Sequence, residues 1–268
     1  MEKLKTLDLF AGIGGFTLGL DKTGLFETIA FCEWDTTAQQ VLKKHWPNTY
    51  CYGDIKSLEY RDGYLYSEAC GVAGITSIDI ITGGFPCQDI SYAGKGAGLE
   101  GERSGHWTHY LRLISEIKPK GVIIENVSAL RTRGLGTVLQ NLNEVGYDAE
   151  WHCLPASSLG ACHQRDRIWI LAYRRSEGGK GLVPLQHLGE IGQGRWGGKE
   201  DLQQVYSDPF GRPHRWPEPL LRRMDVPLPR RMDRLKQVGN SVYWPIVEKL
   251  GYHLYNNLME LGLVSTTK

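Results

Sequence analysis

Short apolar runs alternate with longer amphipathic stretches over the first 173 residues. Runs of β-branched and aromatic residues are typical of buried strands, and apolar positions three or four apart are typical of helices. The pattern predicts strands at 4–10, 28–32, 50–52, 79–83, 121–124, 148–154 and 168–172. It predicts helices that begin after 15 and at 35–45, 105–117, 135–145 and 244–261, and an irregular stretch with a short helix at 59–76. Strands that alternate with helices indicate an α/β fold.

The pattern stops after residue 173. Eight of the 21 residues 178–198 are glycine, and prolines recur up to about residue 222. An irregular stretch of this length is typical of a functional insertion or of a poorly ordered segment. The sequence therefore predicts an α/β domain at 1–173 that is followed by an insertion.

A glycine-rich turn follows the first predicted strand. Residues 8–15 (Asp-Leu-Phe-Ala-Gly-Ile-Gly-Gly) lead from a strand into a helix, as at the start of a nucleotide-binding βαβ unit. The second strand ends in Glu33 and Trp34, where a carboxylate can accept hydrogen bonds from ribose hydroxyls and an indole can stack on adenine. The glycine spacing differs from that of dinucleotide sites, so we predict an adenosine-containing cofactor without a diphosphate. A plain tight turn and a core tryptophan are the alternatives.

A cysteine follows the fourth predicted strand. The run Ile80–Thr82 leads into Gly83 and Gly84, and Pro86 stiffens the peptide directly before Cys87. An open α/β sheet presents reactive groups at the carboxyl ends of its strands, so Cys87 is a candidate nucleophile. An inert buried cysteine is the alternative. The glycine-rich residues 92–105 then predict a loop that closes over a substrate.

Composition and cysteine spacing narrow the class of protein. Hydrophobic residues make up 41% and charged residues 23% of the chain, as in ordinary soluble globular proteins. The chain has no apolar run of about 18 residues and no room for a signal peptide before its first strand, so we expect a cytoplasmic protein without a membrane span. The six cysteines form no Cys-x-x-Cys pair. We therefore expect no metal and a free thiol at Cys87.

The net charge of +1 is unevenly distributed. Residues 1–173 carry 16 basic and 20 acidic side chains, whereas residues 174–236 carry 13 basic and 8 acidic ones. A basic segment fits a polyanionic partner such as nucleic acid, and a solvated loop surface explains it equally well.

Taken in order, the motifs resemble those of DNA (cytosine-5) methyltransferases, especially compact bacterial and phage-type members. Residues 8–15 resemble the family's cofactor loop, and Gly84–Gln88 resembles its catalytic motif. Glu125–Val127 resembles the motif that holds the base, Gln164–Arg167 the Arg-x-Arg motif, and Gly239–Val242 the C-terminal motif that returns to the cofactor.

The resemblance implies a Rossmann-like fold that uses S-adenosyl-L-methionine, with a small irregular target-recognition lobe. The implied regions are a catalytic domain at 1–173, a target-recognition region at 174–222 and a C-terminal segment at 223–268. The implied cofactor-binding residues are Phe10, Ala11, Gly12, Ile13, Gly14, Gly15, Glu33, Trp34, Asp54, Ile55, Gly84, Pro86, Asn240, Ser241 and Val242.

The chemistry explains the catalytic residue types. Carbon 5 of cytosine does not attack a methyl sulfonium directly, but addition of the Cys87 thiolate to carbon 6 makes carbon 5 nucleophilic. Glu125 can protonate N3 if its pKa is raised. Arg165 and Arg167 lie two apart on a segment that we expect to be extended, so both should point to one face. The resemblance implies that Arg165 holds the base and Arg167 braces the site, with Glu125 as its partner.

The expected substrate is a flipped-out cytosine in double-stranded DNA, at a specific sequence, in restriction-modification or phage DNA protection. We expect a monomer, with S-adenosyl-L-homocysteine as the product. Candidate substrate-binding residues are Gln88, Ser91, Asn126, Arg222, Arg223, Arg230 and Arg231, with Asn126 expected to fix backbone geometry. An RNA (tRNA) cytosine-5 methyltransferase and a catalytically inactive DNA-binding regulator are the alternatives.

Overall fold

A computed structural model describes residues 2–67, 71–72, 75, 77–86, 105–161, 163–175 and 241–265. The described residues on both sides of 176–240 belong to one compact unit, Met1–Val183 with Asn240–Lys268. The predicted division into three regions stays a prediction, as does the closing loop at 92–105, nearly all of which lies outside the described residues. The predicted site residues outside them are Cys87, Gln88, Ser91, Arg222, Arg223, Arg230, Arg231 and Asn240.

The described strands form a large sheet and a small one. They are β1 (Leu4–Leu9), β2 (Phe26–Cys32), β3 (Tyr50–Tyr52), β4 (Leu58–Arg61), β5 (Tyr64–Ser67), β6 (Gly71–Val72), β7 (Ile80–Gly83), β8 (Gly121–Val127), β9 (Tyr147–Pro155) and β10 (Asp166–Arg174). The large sheet has the order β3-β2-β1-β7-β8-β10-β9. Within this sheet, the five neighbouring strands β3, β2, β1, β7 and β8 are parallel to one another. Strand β10 is antiparallel to β8 and β9. This mostly parallel sheet confirms the predicted α/β class.

Helices cover the large sheet. They are α1 (Gly15–Thr23), α2 (Thr36–His45), α3 (His106–Ile117), α4 (Leu130–Arg133), α5 (Leu135–Glu144) and α6 (Trp244–Glu260). The main core joins α3 and α5 to alternate strand residues such as Leu7, Leu9 and Ile124. Helix α6 packs closely on α1, because a Cβ at Gly19 would lie 2.5 Å from Val247 Cβ. None of the described helices is long and apolar enough to cross a membrane.

The strand register brings the predicted motifs to one edge of the sheet. Leu9 at the end of β1 pairs with Gly83 at the end of β7, and Gly83 in turn pairs with Ile124 of β8. Arg167 at the start of β10 pairs with Val127 at the end of β8. The residues that follow β1, β7 and β8 and those that precede β10 therefore meet at the same edge.

The prediction of an irregular stretch at 59–76 is wrong. This segment contains β4 and β5, which pair as an antiparallel hairpin, and the short strand β6. The hairpin turn is Asp62 and Gly63, whose φ values are 54° and 82°. Asp-Gly favours a turn with positive φ at both central residues, so a local signal was present.

Candidate active site

The turn after β1 has an unusual backbone conformation. Phe10, Gly12 and Gly14 have φ values of 53°, 55° and 86°, and a bulky residue such as phenylalanine rarely adopts this left-handed region. The Gly12 amide donates a hydrogen bond to Glu33 Oε2 at 2.7 Å, so the segment after β2 holds the turn. The Phe10 ring packs edge-on against His106, with 5.7 Å between ring centroids. Both contacts support the strained turn, as is typical of a binding site.

Polar and aromatic groups lie beside this turn. Glu33 Oε1 accepts a hydrogen bond from the Asp35 amide at 2.8 Å, so each carboxylate oxygen accepts one backbone amide and keeps a lone pair for a ligand. The Trp34 side chain is 80% exposed, which excludes the alternative of a core tryptophan. Asp54 is exposed and accepts from the backbone at the start of a short 3-10 turn, whereas Ile55 is buried.

The segment before α6 contacts the same turn. A Cβ at Gly15 would lie 2.9 Å from the carbonyl oxygen of Val242, so the two backbones approach more closely than a side chain would allow. Ala11 is buried and Ile13 is half-buried within the turn. The Ser241 carbonyl accepts a hydrogen bond from Arg165 Nη2 at 2.6 Å. The C-terminal segment is therefore fixed to both the turn and the segment before β10.

The segment after β7 is fixed by β8. A Cβ at Gly84 would lie 2.9 Å from Glu125 Oε2, so the glycine lets the carboxylate lie against the backbone. The Asn126 amide donates to the Phe85 carbonyl at 3.3 Å, and its oxygen accepts from the next backbone amide at 2.7 Å. Asn126 thus has the contacts of a residue that fixes the backbone, and contact with DNA stays a prediction. Pro86 is half-buried and is the last described residue before Cys87.

The two arginines have different partners. Arg167 Nε lies 2.8 Å from Glu125 Oε1, which is the contact expected from the sequence. The expectation of an extended segment is wrong at Arg165, because its φ is 40°. This backbone turn directs the Arg165 guanidinium to the Ser241 carbonyl, and the arginine also acts on Glu125 electrostatically. The catalytic roles of both residues stay predictions.

Burial raises the pKa of the Glu125 carboxyl above its usual range, and the charges of Arg167 and Arg165 oppose this shift. A carboxyl group whose pKa is raised towards neutrality can donate a proton at neutral pH. The site thus places a carboxyl group with a raised pKa beside the end of the strand that leads to Cys87, and its role as a proton donor stays a prediction.

Asp8 begins the motif at 8–15 that resembles a cofactor loop, but the sequence assigns no role to its side chain. Its carboxylate is fully buried and accepts hydrogen bonds from the hydroxyls of Thr17 and Thr82, each at 2.9 Å. Burial raises the pKa of Asp8 to about 7. The available signal was an aspartate within an apolar strand pattern, because a buried carboxylate requires dedicated partners.

The described residues fit an adenosine-containing cofactor. The exposed Trp34 ring offers a stacking surface, the Glu33 oxygens can accept further hydrogen bonds, and the Phe10 ring adds an apolar wall. Among the residues that the structure describes, no group of three or more His, Cys, Asp or Glu side chains is placed to hold a metal ion.

Comparisons with known proteins agree with this arrangement. A family model described as C-5 cytosine-specific DNA methylase matches residues 4–205. The Type II methyltransferase M.CviJI of Paramecium bursaria Chlorella virus IL3A is 37% identical over 172 residues, which cover 64% of this chain and 43% of that protein. The Type II methyltransferase M.NgoBV of Neisseria gonorrhoeae is 32% identical over 194 residues, which cover 66% of this chain and 43% of that protein. The chain thus spans less than half the length of these two relatives.

Solved structures share the fold. A DNA modification methyltransferase encoded within a prophage (E. coli) matches with a TM-score of 0.52 and 25% identity, over 64% of this chain and 47% of that chain. The S. pombe Dnmt2 methyltransferase matches with a TM-score of 0.56 and 18% identity, over 71% of this chain and 56% of that chain. The Rossmann-like methyltransferase fold is therefore confirmed. Because the family model matches most of its residues, the chain belongs to the C-5 cytosine-specific DNA methylase family.

Proposed function

We propose that the protein transfers a methyl group from S-adenosyl-L-methionine to carbon 5 of cytosine in duplex DNA at a specific sequence. The observation that carries this proposal is the position of Glu125. Its carboxylate lies against Gly84, three residues before Cys87, and is paired with Arg167. A proton donor for cytosine N3 is thereby next to the segment that bears the thiol. The family match supports the same reaction.

The proposed reaction begins at Cys87. Its thiolate forms a bond to cytosine C6, and the electron pair of the ring moves to N3, which takes the proton of Glu125. S-Adenosyl-L-methionine would supply an electrophilic methyl group when bound, and the enamine carbon C5 would accept it as the sulfonium S–CH3 bond breaks and S-adenosyl-L-homocysteine leaves. A base, which we expect to be water, then removes the C5 proton. Cys87 leaves as a thiolate while N3 returns its proton to Glu125, and the aromatic ring is restored.

The cofactor would lie over the turn that follows β1. Glu33 accepts hydrogen bonds from the ribose hydroxyls in this proposal, and Trp34 stacks on the adenine. The backbone of Gly14 and Gly15 at the start of α1 and the segment at Ser241 and Val242 would hold the methionine part of the cofactor.

DNA recognition is assigned to residues outside the described ranges. The basic region that begins at 174 fits phosphate contacts, and Gln88 and Ser91 are candidates to fill the space left by the flipped base. The names of the relatives, Type II methyltransferases, support a role in restriction-modification or in protection of phage DNA. We propose a monomer that acts in the cytoplasm.

Transfer of tritiated methyl groups to unmethylated genomic DNA tests the reaction, with tRNA assayed in parallel. We expect label in DNA, and bisulfite sequencing should place it at C5 of cytosines within one short sequence. Label in tRNA alone would contradict the proposed substrate, and no label in either would contradict the proposed activity.

Two cysteine variants test the nucleophile. Cys87→Ala should abolish methyl transfer while binding of S-adenosyl-L-homocysteine, measured by calorimetry, stays within about twofold, because the thiol acts on the base. Cys153→Ala is the matched control, since Cys153 is an exposed cysteine on the edge strand β9 and has no assigned role in the reaction. It should retain full activity. Methyl transfer by Cys87→Ala at the wild-type rate would overturn the mechanism.

A further inference from the structure

A directional chain of hydrogen bonds ends on the Asp8 carboxylate. The Thr28 hydroxyl donates to the Thr17 hydroxyl at 3.0 Å, and Thr17 donates to Asp8 Oδ2 at 2.9 Å. The Thr82 hydroxyl donates to the other oxygen, Asp8 Oδ1, also at 2.9 Å. Each hydroxyl has one proton to give, and this arrangement uses all three in the direction of the carboxylate. An acceptor at position 8 therefore sets the orientation of the whole chain.

The Thr17 and Thr82 hydroxyls belong to the helix that follows the cofactor turn and to the strand that leads to Cys87. Thr17 is the third residue of α1, directly after the turn at 10–15, and Thr82 lies two residues before Gly84 and five before Cys87. Asp8 itself lies two residues before the strained Phe10. The carboxylate is thus the shared partner of the helix that follows the cofactor turn and of the strand that leads to the thiol.

We propose that Asp8 is a positioning residue whose carboxyl group fixes the cofactor turn relative to the end of β7, the strand that precedes Cys87 in the sequence. This inference rests on the proposed function and adds a residue that the reaction does not contact. It explains why a carboxylate is buried here. Three threonines and an aspartate between α1 and the sheet cost desolvation that an apolar cluster of the same volume would avoid.

Two opposing influences act on the Asp8 carboxyl: burial and the charge of Glu33 favour the protonated acid, whereas the hydrogen bonds from Thr82 and Thr17 favour the carboxylate. The titratable groups that act on Asp8 or respond to it are Glu33, after β2, and Tyr110, on α3. Neither carries a positive charge. The elements α1, β2 and β7 contribute Thr17, Thr28 and Thr82. The carboxylate is therefore held by directed hydrogen bonds, which constrain position more than a diffuse ion pair does.

The test compares three network variants with a matched control. Asp8→Asn, Thr17→Val and Thr82→Val each remove part of the network, and Thr6→Val removes a buried hydroxyl on the same face of β1 that bonds only the Leu4 carbonyl in the described structure. The measurements are the affinity for S-adenosyl-L-homocysteine by calorimetry, kcat and KM for methyl transfer to DNA, and the melting temperature.

We expect the variants to affect S-adenosyl-L-homocysteine affinity and kcat separately, which loss of stability alone would not produce. Thr17→Val should weaken S-adenosyl-L-homocysteine binding about tenfold with little change in kcat, whereas Thr82→Val should lower kcat about tenfold with little change in that affinity. Asp8→Asn should have both effects. The asparagine amide has an NH₂ group in place of one carboxylate oxygen, and this group cannot accept the hydrogen bond that Thr17 or Thr82 donates there. The pH profile of kcat/KM should also lose an inflection near neutral pH in Asp8→Asn. Thr6→Val should match the wild-type protein in binding and kcat.

Three results would overturn the inference. One is that all three network variants lower the melting temperature while binding and kcat stay at wild-type values. Another is that Thr6→Val has the same effects as the network variants. A third is that Asp8→Asn binds S-adenosyl-L-homocysteine as tightly as the wild-type protein, and this result counts even if no DNA is methylated. Failure of the wild-type protein to methylate DNA, with binding intact, would instead contradict the proposed function alone.

Discussion

The buried carboxylate of Asp8 should make the stability of the protein fall as pH rises. Its pKa is about 7 in the folded protein, against an ordinary value of 3.8. Because the folded state holds the proton more tightly, the contribution of this group to stability is fully present below pH 3.8 and is lost as pH rises through about 7. At about 1.4 kcal/mol for each unit of pKa difference, the free energy of unfolding should fall by roughly 2–3 kcal/mol between pH 5 and pH 8 on account of Asp8.

Guanidinium denaturation followed by circular dichroism measures this change. Asp8→Asn cannot ionise, so the stability of the variant should fall less over the same range, and the difference between the two slopes isolates Asp8. Asp62→Asn is the control, because Asp62 is exposed in the hairpin turn and asparagine suits its positive φ. It should keep the wild-type slope. Equal slopes for the wild-type protein and Asp8→Asn would refute the argument that burial raises this pKa.

Three further substitutions test individual contacts. Trp34→Ala should weaken S-adenosyl-L-homocysteine binding about tenfold with the melting temperature unchanged, because the exposed ring stabilises only a stacked ligand; unchanged affinity by calorimetry would contradict the stacking role. Gly15→Ala should destabilise the protein by about 1–3 kcal/mol, since its Cβ would lie 2.9 Å from the Val242 carbonyl oxygen. Gly136→Ala in α5 is the control: its Cβ would meet no atom within 4 Å, and it should stabilise the protein by about 0.5–1 kcal/mol. Equal denaturation midpoints for the two variants would contradict this reasoning. Glu125→Gln should lower kcat roughly 10²- to 10⁴-fold, with cofactor affinity within about twofold, and wild-type kcat would exclude Glu125 as the proton donor.

Much of the fold could be predicted because periodicity and glycine placement are local signals. The strand at 50–52 and the helix at 105–117 were expected within a residue of their observed ends, and the turn at 10–15 follows from its glycines. The hairpin β4–β5 was missed although Asp62 and Gly63 favour such a turn. Its strands are short and carry polar residues, which hid the alternation.

The site was predicted less completely, because its contacts are made between distant segments. The pairing of Glu125 with Arg167 follows from neighbouring strands whose order the family pattern implies. The left-handed backbone at Arg165 accompanies a side-chain contact with Ser241, 76 residues away, and no local signal encodes that contact. The role of Asp8 was hidden for the same reason, since its partner Thr82 lies 74 residues away.

Covalent trapping shows directly whether Cys87 forms a bond to the target cytosine. The protein is incubated with S-adenosyl-L-methionine and duplex DNA that carries 5-fluorocytosine at the methylated position, since fluorine at C5 prevents the step that releases the cysteine. We expect a stable protein–DNA complex that survives denaturation, and mass spectrometry should identify Cys87 in the modified peptide. DNA methylation in parallel reactions without any trapped complex, or with the adduct on a different cysteine, would contradict this expectation.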